Sequence, residues 1–238
     1  MTIKEKMNPN KTARIAALLS LIMIPFALFG IMWVRSNLVV PGDAVTTANN
    51  IMASKSLFRL SIGSSLLIQT GHILLVLILY KLLKPVNKNH ALLMVMFVLV
   101  GAPIAMLNEL NRFAVLLLLN GADYLTALTA DQLPAHVTLF LDLHEYGLFI
   151  ATIFWGLWLF PFGYLVFKSG YIPRILGVLL IIAGLGYLID FVAFFLFPNF
   201  PAIGQFMTWA ELLWPLWLLI KGVNVEQWEK RALESARV

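Results

Sequence analysis

The stretch ALLMVMFVLVGAPIAMLNELNRFAVLLLLN, residues 91–120, decides the fold of this chain. It is apolar except around Asn108, Glu109, Asn111 and Arg112, and an apolar run of about 30 residues is too long for an ordinary buried helix. It fits a helix that crosses a lipid bilayer and carries polar side chains at mid-depth or slightly beyond it. Because ionisable side chains inside such a helix usually serve a function, this polar segment is the first candidate site.

The composition of the whole chain favours an integral membrane protein over a soluble one. Of its 238 residues, 61% are hydrophobic and 12% are charged, whereas soluble domains carry about 25% charged residues. The absence of cysteine excludes disulfides and thiolate metal ligands. The net charge of +5 does not indicate nucleic-acid binding, because the basic residues follow membrane topology. We expect a single membrane domain over residues 1–238, with the lipid bilayer as its partner and no nucleic acid.

Six apolar stretches predict an all-α, polytopic membrane helix bundle. The first is too long for the apolar core of a signal peptide and has no small-residue cleavage site, so we interpret it as an uncleaved span that Pro25 kinks. Residues 221–238 are predicted to form a charged, partly helical cytoplasmic tail. The six transmembrane helices are expected at about residues 13–34, 57–80, 91–120, 136–167, 174–197 and 206–220.

The distribution of basic residues predicts the orientation of the bundle. An even number of spans puts both termini on one side, and 13 of the 17 Lys and Arg residues lie on that side. Arg35, Lys55 and Arg59 lie on the other side, and Arg112 is within a span. The positive-inside rule therefore places both termini in the cytoplasm, in a multi-pass protein of the cytoplasmic membrane.

Two loops on the predicted outer side carry signals for helix starts. In the loop at residues 36–56, Asp43 is suited to cap a short helix, which is either a connector or a lid over a cavity. In the loop at residues 121–134, Thr129 and Gln132 have the spacing of a capping box. These two residues therefore predict an N-terminal cap for the helix of the fourth span.

The polar side chains of the spans share one depth. In the assigned directions, the acidic residues of the spans and Arg112 all fall between the membrane midplane and the outer boundary. Charged groups that face lipid cost several kcal/mol, so we expect these groups to point toward one another and to form one outward-facing chamber. One polar face of the second span carries Ser61, Ser65, Gln69 and His72. The candidate ligand- or ion-binding residues are Asn108, Glu109, Asn111, Arg112, Asp142, Glu145, Asp190, Glu211, Gln69 and His72.

The charge of this chamber leaves two interpretations open. Five carboxylates that face one arginine cannot all stay ionised at low dielectric, so some are protonated, solvated or neutralised by a bound cation or basic ligand group. That interpretation is a binding or proton-handling site. In the alternative, Glu109 and Arg112, at i,i+3 spacing, simply make a buried pair and the other acids form hydrogen bonds between helices.

The sequence assigns no catalytic residue and no set of metal ligands. Asp142, His144 and Glu145 have suitable side chains, but His144 projects about 160° from Asp142 at ~100° per residue, so one helix cannot direct all three at one ion. Ser61 and Ser65 share a face with His72, but even Ser65 lies about two turns from His72, too far for the two to act as nucleophile and base. A carboxylate and histidine site assembled from several helices stays open. Two pairs of small residues predict close helix packing: Gly101 with Ala105, and Gly147 with Ala151.

Six segments, in order along nearly the whole chain, carry a family resemblance: residues 40–43 (VPGD), 84–88 (KPVNK), 121–124 (GADY), 154–161 (FWGLWLFP), 173–177 (PRILG) and 221–224 (KGVN). They resemble the prokaryotic multi-pass membrane proteins catalogued as domain of unknown function 4386. The resemblance implies a bacterial or archaeal inner-membrane protein. It implies no activity, so no catalytic residue is carried over.

Three classes of function stay open for this sequence. We favour a membrane protein that binds or transports a small ligand, a cation or a proton, because the polar residues of the spans predict a chamber. One alternative is an intramembrane enzyme that uses a carboxylate and histidine site. The other is an accessory or sensory membrane protein without catalysis. The sequence predicts no particular cofactor, protein partner or oligomeric state.

Overall fold

The computed structural model describes residues 7–121, 129, 132–197 and 204–236, with only the backbone for residues 204–210. All regular structure in these ranges is helical, which confirms the all-α prediction. The elements are α1 (Pro9–Ala27), a π-helical segment (Leu28–Trp33), α2 (Val34–Leu38), α3 (Ala44–Ala53), α4 (Lys55–Leu83), α5 (Lys88–Leu119), α6 (Gln132–Leu157), α7 (Leu159–Ser169), α8 (Arg174–Leu196), α9 (Gly204–Ile220) and α10 (Val225–Ser235).

Five helical stretches of the described chain are long and apolar enough to cross a membrane: Pro9–Leu38, Lys55–Leu83, Lys88–Leu119, Gln132–Ser169 and Arg174–Leu196. They lie within a few residues of the first five predicted spans, because the same apolar runs determine both. Exposed side chains such as Leu107, Leu110 and Phe195 suit contact with lipid. A shorter apolar helix, Glu211–Ile220, follows. Since a crossing needs about 20 residues, the sixth span and the orientation of the termini stay predictions.

Pro25 lies inside α1, and the π-helical segment begins shortly after it. A proline removes one backbone hydrogen bond and clashes with the preceding turn, and a short π-helical stretch absorbs such a distortion. Gly30 lies in this segment, where a Cβ atom would come within 3.0 Å of the Ser61 carbonyl oxygen and of Ser64 Cβ. A glycine therefore lets this segment approach α4 without displacing its neighbours.

The chain divides into two compact units. The first unit comprises Met1–Ile22, Gly71–Gly101 and Thr152–Val238, and the second comprises Met23–Thr70 and Ala102–Ala151. Helices α1, α4, α5 and α6 each contribute to both units. The prediction that residues 1–238 act as one membrane domain stays a prediction.

Helix α3 belongs to the core of the second unit. The Asp43 carboxylate accepts a hydrogen bond from the Thr46 backbone N–H at 2.9 Å, which confirms the predicted N-cap. The Thr46 hydroxyl, which donates at 2.6 Å, and this N–H hold the pKa of Asp43 below its usual value. Ala48 and Ile51 are buried in the same apolar cluster as Phe58. These contacts favour the connector over the lid.

The described part of helix α6 starts at Gln132 and is preceded by the predicted capping residue Thr129. The Thr129 backbone N–H donates to the side-chain oxygen of Gln132 at 3.1 Å. In a capping box the side chain three residues after the N-cap accepts this bond from the N-cap backbone N–H, so the predicted capping contact between Thr129 and Gln132 is confirmed.

Glycines allow close packing within the first unit. A Cβ atom at Gly163 on α7 would lie 2.6 Å from the Gly177 carbonyl oxygen on α8, so these two helices meet backbone to backbone. A Cβ atom at Gly101 on α5 would lie 2.6 Å from Phe154 Cβ on α6. Real Cβ atoms do not approach so closely, so the predicted close packing at Gly101 is confirmed.

The C-terminal end of α4, in the first unit, is capped by side chains from two other segments. The Leu82 carbonyl oxygen accepts hydrogen bonds from the Tyr171 hydroxyl and from Trp228 Nε1, both at 2.9 Å. The last carbonyls of a helix have no partner within it, so these donors satisfy one that the fold would otherwise bury unpaired. Trp228 belongs to α10, so the charged tail is docked on the first unit. Burial raises the pKa of the Tyr171 phenol.

Candidate functional site

The strongest candidate site lies in the second unit and is built around Glu109 on α5. This residue is only 2% exposed, and its two carboxylate oxygens have different partners. Oε2 lies 3.2 Å from Nη1 of Arg112, one turn later on the same helix. Oε1 lies 3.2 Å from Nε2 of His144 on α6. One buried carboxylate therefore bridges a guanidinium group and an imidazole.

Three residues of α4 surround the guanidinium group of Arg112. It donates hydrogen bonds to the Ser61 hydroxyl and, at 3.4 Å, to the Ser65 hydroxyl. It also lies over the Phe58 ring, 4.9 Å from the ring centroid. Positions 58, 61 and 65 share one face of a helix with 3.6 residues per turn. Hydroxyl oxygens and the ring face thus replace the water that a buried cation loses.

Asn108 holds α5 and α6 together beside Glu109. Its Nδ2 donates to the His144 carbonyl oxygen at 2.7 Å, and its Oδ1 accepts from Asn111 Nδ2 at 2.9 Å. A Cβ atom on Gly147 would collide with the Asn108 amide, so a glycine is needed where the two helices meet. The predicted close packing at Gly147 is therefore confirmed. It places His144 and Gly147, one turn apart, on the face of α6 that meets α5.

Gln69 continues the polar face of α4 one turn beyond Ser65. It is 5% exposed, and its carbonyl oxygen Oε1 has no hydrogen-bond partner within the described part of the chain. A buried acceptor without a donor costs about 1–3 kcal/mol, and such atoms usually bind a water molecule, an ion or a ligand. Four residues correspond to about 6 Å along a helix, so this acceptor lies about one turn from the contact between Ser65 and Arg112.

Helix α6 presents a different face to α5 than the sequence suggested. His144 contacts Glu109, whereas Asp142 is exposed. Glu145 forms an ion pair with Arg35, and these two side chains are 40% and 51% exposed. We had expected the face of α6 that packs on α5 to contain Asp142. In the structure this face contains His144 instead. Roles for Asp142 and Glu145 in binding stay predictions.

The other predicted site residues belong to the first unit. The Tyr187 hydroxyl donates to Oε1 of Glu211 at 2.8 Å. Asp190, one turn after Tyr187 on α8, is partly buried. His72 packs edge-on against Trp158, with ring centroids 4.8 Å apart, which agrees with a helix-packing role. One chamber shared by all of the predicted residues stays a prediction.

The small residues of α6 contain a sequence signal for the position of His144. Gly147 and Ala151 are the predicted close-packing pair, and Ala151 and Val137 are fully buried. His144 precedes Gly147 by one turn and follows Val137 by two, so it lies on this packed face. Aligning the helix on its small residues, rather than on its acidic ones, would have identified His144 as the partner of the α5 acid.

The side-chain atoms in the second unit that could act as cation ligands are mostly oxygen atoms. They are the Glu109 carboxylate, the Gln69 carbonyl oxygen and the hydroxyls of Ser61 and Ser65, with one imidazole nitrogen from His144. Carboxylate, carbonyl and hydroxyl oxygens are suited to hard cations and to hydrogen-bond donors. Among the described residues, no group of three or more His, Asp or Glu side chains is placed to hold a metal ion.

The fold and this network define an all-helical protein, suited to a lipid membrane, with a buried charged network formed by side chains of three apolar helices. The chain belongs to the family described as a domain of unknown function (DUF4386), which matches residues 15–222. It is also 35% identical, over 150 residues, to an uncharacterized protein of Archaeoglobus fulgidus; the match covers 63% of this chain and 75% of that protein. No solved structure matches the chain. The family resemblance inferred from the six segments is confirmed.

Proposed function

We propose that the chain is a multi-pass protein of the cytoplasmic membrane that binds a small cation at the Glu109 network and exchanges it for a proton. Six helices cross the bilayer in this proposal, and both termini are cytoplasmic. The observation that carries it is the sharing of one buried carboxylate between Arg112 and His144 inside a helix long enough to span a membrane. Ionisable groups at such depth are expensive and usually mark an ion or proton pathway.

The charges of the Glu109 network explain why a proton should compete with the cation for this site. With Glu109 ionised, Arg112 charged and His144 neutral, the network is neutral. A proton on His144 adds one positive charge, and a bound monovalent cation adds one as well. A buried site tolerates one such charge far better than two, because each needs its own compensation. The proton and the cation therefore compete, and binding of one releases the other.

The place for the cation is beside the polar face of α4. Gln69 Oε1 is a buried acceptor that lacks a donor in the described chain, and Ser65 lies one turn away on the same face. A carbonyl oxygen, a hydroxyl oxygen and the nearby Glu109 carboxylate are the oxygen ligands that Na⁺ and similar cations prefer. The orphan acceptor supports binding, because a buried acceptor without a donor is costly and usually has a partner.

The proposal can be tested with purified protein in lipid vesicles that contain a pH-sensitive dye. An inward gradient of NaCl, KCl or LiCl is applied, and the lumenal pH is recorded. Cation influx in exchange for protons should raise the lumenal pH faster than in protein-free vesicles. Glu109→Gln and His144→Gln should each lower the rate by about tenfold or more. Glu226→Gln, which makes the same change at an exposed carboxylate of α10, should keep the wild-type rate.

Two results would overturn the exchange function. The first is a wild-type rate equal to that of protein-free vesicles for all three salts. The second is an unchanged rate in folded Glu109→Gln protein, since the carboxylate is the centre of the proposed site. Lower stability without a change of rate would assign the network to a structural role.

The proposed orientation can be tested separately, because the natural chain has no cysteine. Single cysteines at Thr46 and at Ser235 are each the only thiol of the protein. In intact cells a membrane-impermeant maleimide should label the variant at Thr46 and spare the variant at Ser235. The opposite pattern would place the termini outside and contradict the positive-inside assignment.

A further inference from the structure

A second polar feature lies in the first unit, where α8 begins and α9 ends. A cavity of about 680 Å³ opens there. Two of its lining residues are cationic, Arg174 and Lys221, and none is acidic. Tyr171, Trp217, Asn224 and Gln227 contribute aromatic and amide groups to the wall. The cavity is therefore basic, polar and large enough for a small anionic group.

Among the described residues, the two cations of this cavity, Arg174 and Lys221, form no ion pair with a carboxylate. The Arg174 guanidinium group lies over the Phe167 ring, 5.7 Å from the ring centroid. Stacking of this kind orients the planar guanidinium group while its N–H groups remain able to bind an anion.

The wall of the cavity is held in place by the docked tail. Gly170 and Gly222 have φ angles of 78° and 70°, so both turns use left-handed backbone that favours glycine. The Asn224 backbone N–H donates to the Tyr171 carbonyl oxygen at 3.2 Å, which ties the two turns together. The Asn224 side chain caps α10 by accepting from the Gln227 N–H at 3.1 Å. The cationic residues therefore sit on a built frame and not on a free tail.

The cavity lies at the boundary between apolar and polar sequence. Arg174 is the first residue of the apolar helix α8, and Lys221 directly follows the apolar end of α9. Trp217, one turn before Lys221, is 37% exposed. Tryptophan prefers the headgroup level of a bilayer, and basic pockets between helices at that level bind anionic headgroups. Two of the segments that carry the family resemblance, residues 173–177 and 221–224, contribute residues to the cavity lining.

We infer that this cavity is a binding site for a phosphate group, either the phosphate of an anionic lipid headgroup or free phosphate. Arg174 supplies a planar fork of donors that matches phosphate oxygens, and Lys221 supplies a second positive charge. Asn224 and Gln227 add amide groups beside them. The site is independent of the Glu109 network and does not require cation exchange.

The inference can be tested by native mass spectrometry, which counts the lipid molecules bound to purified protein in a neutral detergent. Three probes are compared: phosphatidylglycerol, phosphatidylcholine and inorganic phosphate. Wild-type protein should retain phosphatidylglycerol in preference to phosphatidylcholine. The double variant Arg174→Gln/Lys221→Gln should weaken that retention by about tenfold or more. The matched control Lys168→Gln/Lys230→Gln removes two exposed cations that do not line the cavity and should bind like the wild type.

The outcomes separate the two sources of phosphate. Retention of phosphatidylglycerol that depends on Arg174 and Lys221 supports a lipid site. Binding of inorganic phosphate alone, with the same dependence, supports a site for free phosphate. Equal loss in the double variant and in its control, or no binding of any anionic probe, overturns the inference. Lys221→Gln alone, at an exposed position, provides a mild variant should the double variant fold poorly.

Discussion

The pairing of Glu109 with Arg112 can be measured by a double-mutant cycle. The variants are Glu109→Gln, Arg112→Met and the two changes combined. Each single change leaves one charge buried without its principal partner, which costs about 3–5 kcal/mol of folding free energy. The combined change removes both charges, and methionine replaces much of the apolar stem of arginine. We therefore expect the double variant to be more stable than the sum of the two losses predicts.

The size of the coupling follows from the geometry. At 3.2 Å and an effective dielectric constant of about 20, the Coulomb attraction is roughly 5 kcal/mol. The remaining partners reduce the measured value, because His144 still contacts Glu109 and the α4 serines still contact Arg112. Coupling energies between contacting residues are about 0.5–3 kcal/mol. Since both side chains are less than a tenth exposed, we expect about 2–3 kcal/mol, near the upper end of that range.

The measurement is equilibrium unfolding in mixed micelles with an increasing fraction of a denaturing detergent, followed by circular dichroism. Glu226→Gln serves as a control for the loss of one carboxylate at an exposed position. A double variant whose loss equals the sum of the single losses, within about 0.5 kcal/mol, would refute the pairing. It would mean that the two groups are solvated separately in the folded protein.

Further predictions concern packing and a helix end. Gly147→Ala should destabilise the protein by about 1–3 kcal/mol, because the methyl group displaces the Asn108 amide from its buried hydrogen bond; Gly63→Ala, with nothing within 4 Å, should be neutral or stabilise by up to ~1 kcal/mol. Equal effects in thermal unfolding would contradict this. Tyr171→Phe or Trp228→Phe alone should cost about 1 kcal/mol, and both together more than the sum, because only the double change leaves the α4 carbonyl unpaired. Burial raises the pKa of Tyr171, so its contribution to stability is complete below about pH 10 and is lost above it. Wild-type protein should therefore lose stability above that pH more steeply than Tyr171→Phe, and parallel pH profiles would count against the buried phenol.

The long helices could be predicted because the length of each apolar run determines approximately where its helix begins and ends. Polar loops and capping residues such as Asp43 fix the ends, and the structure follows them closely. Two features of the fold could not be predicted fully from the sequence. Pro25 signals a distortion, but the sequence does not say that a π-helical segment absorbs it. The residues Glu211–Ile220 form a helix, as expected, yet their apolar length alone does not establish a sixth crossing.

The candidate site could be predicted only where contacts are local. The spacing of Glu109 and Arg112 on one helix indicates that they pair, and the structure contains this ion pair. Contacts between helices depend on rotation and axial register, which a single sequence does not fix. Arg35 and Glu145 are 110 residues apart, and nothing in either segment indicates their ion pair. Ser61 and Ser65 were known to share a polar face, but not that this face surrounds Arg112.

The charge of the Glu109 network sets the stoichiometry of the proposed exchange. One arginine and one carboxylate cancel, and among the described residues His144 is the other ionisable group that contacts this carboxylate. The network thus carries one extra positive charge whether a proton occupies His144 or a monovalent cation occupies the oxygen ligands. Exchange of one for the other moves no net charge across the membrane. The flux in vesicles should therefore keep its rate when a potassium diffusion potential is imposed, whereas a channel for either ion should respond to about 2.3 kcal/mol per 100 mV. A flux that follows the imposed potential would contradict competition between the proton and the cation at one carboxylate.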